Sequence, residues 1–501
     1  MSIPIELIEQ NPWWTKPEEI LKDKNIVAFA NSKVCWEPRI KYKFDLNVDV
    51  VYTLRGPRQV GKTTLLKDML KGLLESKVPP RNLFYFSCDL IDNPKALADT
   101  LSAYLDSVRS NGNQRAYLFI DEVSSVKDWQ KAVKFLADKG ALVTATLILT
   151  GSHTLDIKKA SEKLPGRRGG ASTEGPLDKI MLPMKFAEYA ETLNKDVNQT
   201  IKQLNLRSWE NRKQLLFSLL NGEIPPQIKE LSFLSKDLIK LFQDYILTGG
   251  IPRVADEYLK RNEIPENIYK TYVDVVLGDL AKWGKRETYL RQVINRVIET
   301  LANPTSWNTL KQGTDIASHN TIAEYVDTLS DSFVLRYLHC YDAGRNKPAY
   351  QKEKKIHFGD PFFLHSMRAW TTGRQPFEST LSFLKEPDKV GVLVEGVAAD
   401  HMVRLAFRLC EQKSLFSYEN TVMYWRGKKD REVDFILNEG LSKPAAIEVK
   451  YQAKITTRDM FGIIDFTKAT SSTNTLVLSK ESLEIRNNTT IIPIWLFLLI
   501  V

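Results

Sequence analysis

Between an apolar run, Val48 to Leu54, and an amphipathic run, Thr63 to Leu74, the chain carries Gly56-Pro57-Arg58-Gln59-Val60-Gly61-Lys62-Thr63-Thr64. The spacing G-x-x-x-x-G-K-[ST] constrains this chain more than any other feature. The first run has the length of a buried strand. In the second, Leu65, Leu66, Met69, Leu70 and Leu73 fall on one helical face. A strand that ends in a glycine loop and reopens as a helix turns its backbone N–H groups inward, where they cradle phosphate oxygens. Lys62 is then placed to neutralise the β- and γ-phosphates of a nucleotide, and the Thr63 hydroxyl to hold Mg²⁺. The expected cofactors are ATP and Mg²⁺, bound by residues 56–64.

Further strands follow in a consistent rhythm. Leu83–Cys88, Tyr117–Asp121 and Thr146–Thr150 read as short buried strands, and Ala96–Val108 and Trp129–Ala137 read as the helices between them. Alternation of this kind predicts an α/β fold with a parallel sheet and helices on both faces. Tyr117-Leu-Phe-Ile-Asp-Glu122 ends in two carboxylates at the sheet edge where the phosphate loop lies. Asp121 is expected to hold Mg²⁺ through water, and Glu122 to polarise the attacking water. In Leu147-Ile-Leu-Thr-Gly-Ser152, Thr150 or Ser152 is placed to sense the γ-phosphate. Arg167 or Arg168, in a Gly- and charge-rich loop from Lys158 to Lys179 read as mobile, is placed to reach a neighbouring subunit's nucleotide. The plain alternative is two solvated arginines.

At 501 residues the chain is long enough for several domains. Its net charge of +9 favours anionic partners, DNA among them. The four cysteines, Cys35, Cys88, Cys340 and Cys410, are far apart, which argues against a zinc site or a disulfide framework and for a cytoplasmic location. The first residues lack the pattern of a signal peptide. The apolar run Ile491 to Val501 is too short to span a bilayer, so no membrane association is expected. It reads as a buried terminal strand with Pro493 at an edge.

The remaining chain divides by pattern. Residues 1–46 form a lead segment whose Trp13, Trp14 and Trp36 pack on the first domain, residues 47–185 the α/β core, and residues 186–285 a helical lid. Residues 289–370 have the helix lengths of a winged-helix-like module. Its third helix carries Glu324, Asp327 and Asp331, which phosphates repel; Lys352, Lys354 and Lys355 are placed to touch a phosphate backbone, the alternative being a module that serves as a structural spacer or protein contact. Residues 385–501 form an α/β domain after a break at Thr371–Pro376. There Glu432 and Asp434 share one strand face, Glu448 and Lys450 share another, and Glu395 sits on a helix. Pairing those strands brings Asp434, Glu448 and Lys450 together. The two carboxylates suit Mg²⁺ and the lysine a water nucleophile. Trp425-Arg-Gly-Lys-Lys-Asp-Arg431 reads either as a nucleic-acid contact or as a solvated hairpin.

The order of P-loop, Leu-Phe-Ile-Asp-Glu, Thr-Gly-Ser and Leu-Pro-Gly-Arg-Arg resembles the AAA+ superfamily. More narrowly, it resembles prokaryotic and archaeal AAA+ ATPases with a C-terminal PD-(D/E)xK restriction-endonuclease-like domain. Gly249-Gly250-Ile251-Pro252-Arg253 is similar to the Gly-Gly-x-Pro signature of that family, and the resemblance implies a place for Pro252 near the adenine. Val433 stands where the nuclease motif has proline. The resemblance implies an α/β chain: a P-loop AAA+ parallel-sheet domain with a helical lid, a winged-helix-like module and a C-terminal α/β nuclease-like domain. It implies an ATPase that acts as a homo-oligomer, a hexamer being one form, on DNA, branched DNA included, in repair, recombination or defence. Whether the nuclease-like residues cut stays open. The alternatives are a branch-migrating motor with an inactive nuclease fold and an ATP-gated regulatory switch.

Overall fold

The structure is a computed structural model that describes residues 5–110, 112, 115–151, 161–170, 175–410, 417–427, 430–438 and 440–501. It divides into two compact units, Met1–Leu182 and Pro183–Val501.

The first unit is built on five strands, β1 (Val50–Arg55), β2 (Leu83–Ser87), β3 (Ala116–Asp121), β4 (Ala145–Thr150) and β5 (Asp178–Ile180). They lie in the order β2-β3-β4-β1-β5 and pair in parallel throughout. Nearly every residue of β1 to β4 is buried, as strands covered on both faces require. The helices Lys62–Glu75, Pro94–Ser110 and Gln130–Asp138 follow β1, β2 and β3 in the chain. The lead segment covers the open edge at β2, where unpaired backbone groups need partners. Asn11 receives the Tyr85 N–H at 2.7 Å and donates to the Tyr85 carbonyl at 2.9 Å, and both Trp13 and Trp14 donate to the Leu83 carbonyl. The Trp14 ring stacks on Phe84 and Tyr104, so these tryptophans are core. Part of the segment expected to be mobile is ordered: the Val51 N–H donates to the Arg168 carbonyl, and β5 extends the sheet.

In the second unit, helices from Phe186–Leu193 to Glu266–Lys282 are followed by Glu287–Glu299, Trp307–Lys311 and His319–Asp331. A hairpin of β6 (Leu335–Asp342) and β7 (Lys347–Phe358) comes next, then the long helix Pro387–Leu409. The remaining strands are β8 (Val422–Arg426), β9 (Glu432–Leu437), β10 (Ala445–Lys450), β11 (Thr475–Ser479), β12 (Glu484–Arg486) and β13 (Thr489–Pro493). They join the hairpin in one sheet, ordered β12-β13-β11-β10-β9-β8-β6-β7. The hairpin expected as the wing of a separate module is therefore part of the same sheet as the C-terminal strands. It meets β8 in register at one pair, Cys340–Tyr424, beside a bulge at His339/Cys340. The expected break at Thr371–Pro376 is a tight link, Gly373 ending one helix at φ +65° and Pro376 opening the next.

The apolar terminal run is not an edge strand. It is β13, flanked by β12 and β11, followed by the helix Ile494–Ile500. Pro493 closes the strand and precedes the helix, where a missing N–H costs nothing. The helix is apolar on every side because every side is buried.

Gly249 and Gly250 have a structural reason within this unit. A Cβ on Gly250 falls 1.9 Å from the Met184 carbonyl oxygen, and one on Gly249 falls 2.0 Å from the Asp360 carboxylate. The Gly250 N–H donates to Asp360 at 2.8 Å. Pro252 opens the helix Pro252–Arg261. Substituting Gly250→Ala is expected to destabilise the second unit by about 1–3 kcal/mol, because backbone must shift to admit the methyl; the denaturant midpoint measures this, and an unchanged midpoint contradicts the close approach.

Candidate functional site

Two sites were expected, one in each unit. In the first unit parallel pairing sets the strand ends level. Ser87 of β2 lies opposite Asp121 of β3, Leu54 of β1 lies opposite Thr150 of β4, and Ile120 of β3 lies opposite Leu149 of β4. Asp121, Thr150 and the start of the glycine loop thus share one sheet edge.

The loop is shaped as its glycines require. Gly61 has φ +101° and Gln59 φ +61°. A Cβ on Gly56 would come within 1.9 Å of the Met181 carbonyl oxygen. Lys62 opens the helix behind the loop, and its ammonium donates to the Gly56 and Pro57 carbonyls at 3.0 and 2.8 Å, across the loop mouth. The Thr63 hydroxyl donates to Asp121 Oδ2 at 2.6 Å, so the two groups expected around Mg²⁺ are already side by side. Burial pushes the Asp121 carboxyl above its ordinary value, against the hydrogen bond from Thr63, which favours the charged form. Glu122 follows in the left-handed region at φ 51°, a conformation that a glutamate adopts only where the surroundings enforce it. The Thr150 hydroxyl is buried with no hydrogen-bond partner among the described residues, which leaves it available at the strand end. Ser152 lies outside the described residues. Glycine cradle, lysine at the mouth and a Thr–Asp oxygen pair fit a nucleotide with Mg²⁺.

Sequence reasoning missed Tyr85. Its hydroxyl donates to the same Asp121 Oδ2 at 3.1 Å, and the buried Lys67 ammonium sits 3.4 Å from its ring centroid while pairing with Asp23. Burial holds Lys67 below its ordinary value, against the pull of Asp23. Nothing in the apolar run around Tyr85 announces this contact; it comes from β2 lying beside β3.

The two arginines separate. Arg168 is a brace of the sheet edge: it donates to the Val51 carbonyl at 3.1 Å, to both Asp178 carboxylate oxygens at 3.1 Å and to the Thr53 hydroxyl at 3.3 Å. Its expected reach to another subunit is therefore corrected, since these bonds hold its guanidinium inside its own unit. Arg167 is half-buried and paired with Asp138 at 2.7 Å.

In the second unit the strands bring Asp434, Glu448 and Lys450 together as expected. The Val449 N–H donates to Asp434 Oδ2 at 2.9 Å, the Asp434 N–H to Glu448 Oε2 at 3.3 Å, and the Lys450 ammonium to Glu448 Oε1. Glu395 joins them from the helix Pro387–Leu409. The unexpected member is Lys355. Expected at a phosphate backbone, it is 1% exposed, and its ammonium pairs with Glu395 at 2.9 Å, Glu432 at 2.6 Å and Asp434 at 2.8 Å. Lys354 is also buried, donating to the Tyr350 and Lys352 carbonyls, so of the three lysines Lys352 alone is exposed. An ammonium thus stands beside Asp434, one of the two expected Mg²⁺ ligands, while the other, Glu448, pairs with Lys450. No cluster of three or more His, Cys, Asp or Glu side chains suited to a metal is found among the described residues. Burial, with Asp434 adding to it, pushes the Glu395 and Glu448 carboxyls up to about 8. Burial acts on Asp434 too, but Lys355 and Lys450 outweigh it and hold that carboxyl below its ordinary value.

Trp425 is buried against Phe466, Arg426 pairs with Glu353 and Asp430, and Arg431 pairs with Asp465. Lys428 and Lys429 lie outside the described residues. Glu324 and Asp327 are exposed on the third helix of the expected winged module, as anticipated.

Residues 49–190 match the model of an AAA domain, and with the parallel sheet and glycine loop they form an AAA-type P-loop α/β domain. Residues 239–374 and 391–497 match two domains of unknown function, DUF8612 and DUF4143. The chain is 25% identical over 317 residues to an uncharacterized protein of Methanocaldococcus jannaschii, covering 62% of this chain and 60% of that protein. It is 23% identical over 305 residues to an uncharacterized protein of Haemophilus influenzae, covering 59% of this chain and 64% of that protein. The chain thus spans less than two thirds of the length of either relative. Among solved structures, a Walker-type ATPase of Pyrococcus abyssi aligns with 64% of this chain and 91% of its own at 14% identity and a TM-score of 0.37. The Orc1 protein of Aeropyrum pernix, solved in complex with DNA, aligns with 76% of this chain and 95% of its own at 10% identity and a TM-score of 0.27. No helix of the described residues is long and apolar enough to cross a membrane.

Substituting Arg168→Ala should cost about 1–3 kcal/mol of stability, because it strands the partly buried Asp178. Arg167→Ala should stay within about 0.5 kcal/mol, as surface changes do. Equal effects in chemical denaturation would contradict the division of roles. In the second unit, Glu395 releases its proton near 8 when folded and near 4.5 when unfolded. Between those values the folded chain holds more protons, so stability falls as pH rises through the window. Glu395→Gln should flatten the fall in denaturant midpoint between about pH 5 and about pH 8; an unchanged slope contradicts it.

Proposed function

We propose that this chain is an ATP-hydrolysing AAA+ ATPase that acts on DNA as a homo-oligomeric remodelling or branch-migrating motor, in repair, recombination or defence. The observation that carries the ATPase reading is the Thr63–Asp121 bond at 2.6 Å, set at the sheet edge that also holds Lys62, Glu122 and Thr150. Mg²⁺ bound there would supply a counter-charge to the β- and γ-phosphates. The chain's own residues do the rest. The loop N–H groups of residues 56–64 orient the phosphates, and Lys62 leaves its loop carbonyls to neutralise them. Thr63 and Asp121 supply the oxygens for the ion, with Tyr85 fixing the carboxylate. Glu122 accepts the proton of the attacking water, and the unpartnered Thr150 hydroxyl orients that water or the γ-phosphate.

The net charge of +9 supports an anionic partner, and the exposed Lys352 offers it one contact. Motor action is favoured over cutting because Lys355 fills the carboxylate cluster that cutting would use. Arg167, partly exposed, is the residue assigned to a neighbouring subunit's nucleotide.

ATP turnover with and without linear, single-stranded and four-way DNA tests the reading, with product lengths read on the same samples. Lys62→Ala is expected to lower turnover by about 10²-fold or more. Glu122→Gln is expected to lower kcat by about 10²- to 10⁴-fold while nucleotide still binds. DNA is expected to raise wild-type turnover and remain uncut. Normal turnover in Lys62→Ala would end the ATPase reading, and indifference to every DNA would replace the motor with an ATP-gated switch.

A further inference from the structure

We propose that the Lys355 ammonium is the resident cation of the carboxylate cluster in the second unit, standing where a divalent metal ion would otherwise sit, so that the wild-type cluster takes up no divalent cation.

The argument begins with donor and acceptor accounting. An ammonium has three N–H donors and no acceptor. Lys355 donates to Glu395 Oε1 at 2.9 Å and to Asp434 Oδ1 at 2.8 Å, and its ammonium is ion-paired with Glu432 at 2.6 Å, at a site where the lysine is 1% exposed. The second oxygen of Asp434 receives the Val449 N–H, and both Glu448 oxygens receive donors, from Lys450 and from the Asp434 N–H. A hard divalent ion needs several of these oxygens at close range, and Lys355 holds the point on which three of the carboxylates converge. A second positive charge beside a fully buried ammonium has no solvent to screen it.

A separate observation indicates that the arrangement is a cation site and not a solvated strand face. His357, two residues along β7 from Lys355, is 1% exposed, and its Nε2 has no hydrogen-bond partner among the described residues while lying 3.9 Å from Glu395 Oε1. An imidazole nitrogen aimed at a carboxylate cluster without a bond of its own is a spare ligand, and it comes into use if the lysine is removed. The fold explains how the lysine arrives. The β6–β7 hairpin holds one register pair with β8, Cys340–Tyr424, and Lys355 of β7, opposite Leu338 of β6, meets Glu432 and Asp434 of β9.

The test is Mn²⁺ binding to the full chain without nucleotide, followed by electron paramagnetic resonance. The wild type is expected to hold no Mn²⁺ that depends on this cluster, so Glu448→Gln should leave its Mn²⁺ uptake unchanged. Lys355→Met is expected to gain about one Mn²⁺ per chain, and Asp434→Asn in the same chain to remove that gain. Lys355→Arg, which keeps the charge, should gain none. Wild-type uptake that Glu448→Gln abolishes overturns the proposal. So does a cooperatively folded Lys355→Met chain with no gain. Lys355→Gln serves if the Met variant does not fold, and the wild-type comparison decides by itself if neither does. The assay contains no nucleotide, so its failure is separate from failure of the ATPase reading.

Discussion

The first unit depends on one hydrogen bond across a parallel sheet: Thr63, behind the loop that leaves β1, donating to Asp121 at the end of β3 at 2.6 Å. These strands are not neighbours, since β4 lies between them. The bond forms because parallel pairing sets the ends of β1, β3 and β4 level, so that a loop leaving one strand meets a carboxylate two strands away. Around it the unit places its other polar groups. Tyr85 approaches the same oxygen from β2, Thr150 ends β4 with a hydroxyl that has no hydrogen-bond partner among the described residues, and Lys62 crosses the loop mouth. Burial raises the cost of the Asp121 charge, and the hydrogen bonds from Thr63 and Tyr85 offset part of it.

The second unit solves a similar problem in a different way. Four carboxylates, Glu395, Glu432, Asp434 and Glu448, meet Lys355 and Lys450. Lone buried carboxylates are costly. Two of the four lean toward the protonated form, Asp434 toward the charged form, and the lysines hold the remaining negative charge. In the first unit the buried carboxylate Asp121 is met by hydroxyls, and in the second the buried carboxylates are met by ammonium groups.

Local patterns carried much of this arrangement. The glycine loop, the β3 carboxylates and the strand–helix rhythm are short-range, so the P-loop fold and its sheet edge were legible before any coordinates. So was the meeting of Asp434, Glu448 and Lys450, because two-residue alternation fixes which side chains share a strand face. Three residues defeated such reading. Lys355 sits in a run of lysines that reads as a solvated, phosphate-seeking stretch, and its burial follows from the hairpin joining the C-terminal sheet. Arg168 reads as a loop arginine, and becomes a brace because β5 supplies Asp178 beside Thr53. Trp425 sits in a stretch that reads either as a nucleic-acid contact or as a solvated hairpin, and becomes core through Phe466.

By itself, then, the sequence determined the phosphate loop, the order of strands and helices around it and the carboxylates that end β3, since each depends on neighbours within a few residues. Tertiary structure alone decided which cation stands in the second carboxylate cluster, which arginine is held, and that the hairpin and the C-terminal strands share one sheet. Those outcomes rest on pairings between residues distant in the chain, Lys355 with Asp434 and Arg168 with Val51 among them, and local periodicity carries no information about distant partners.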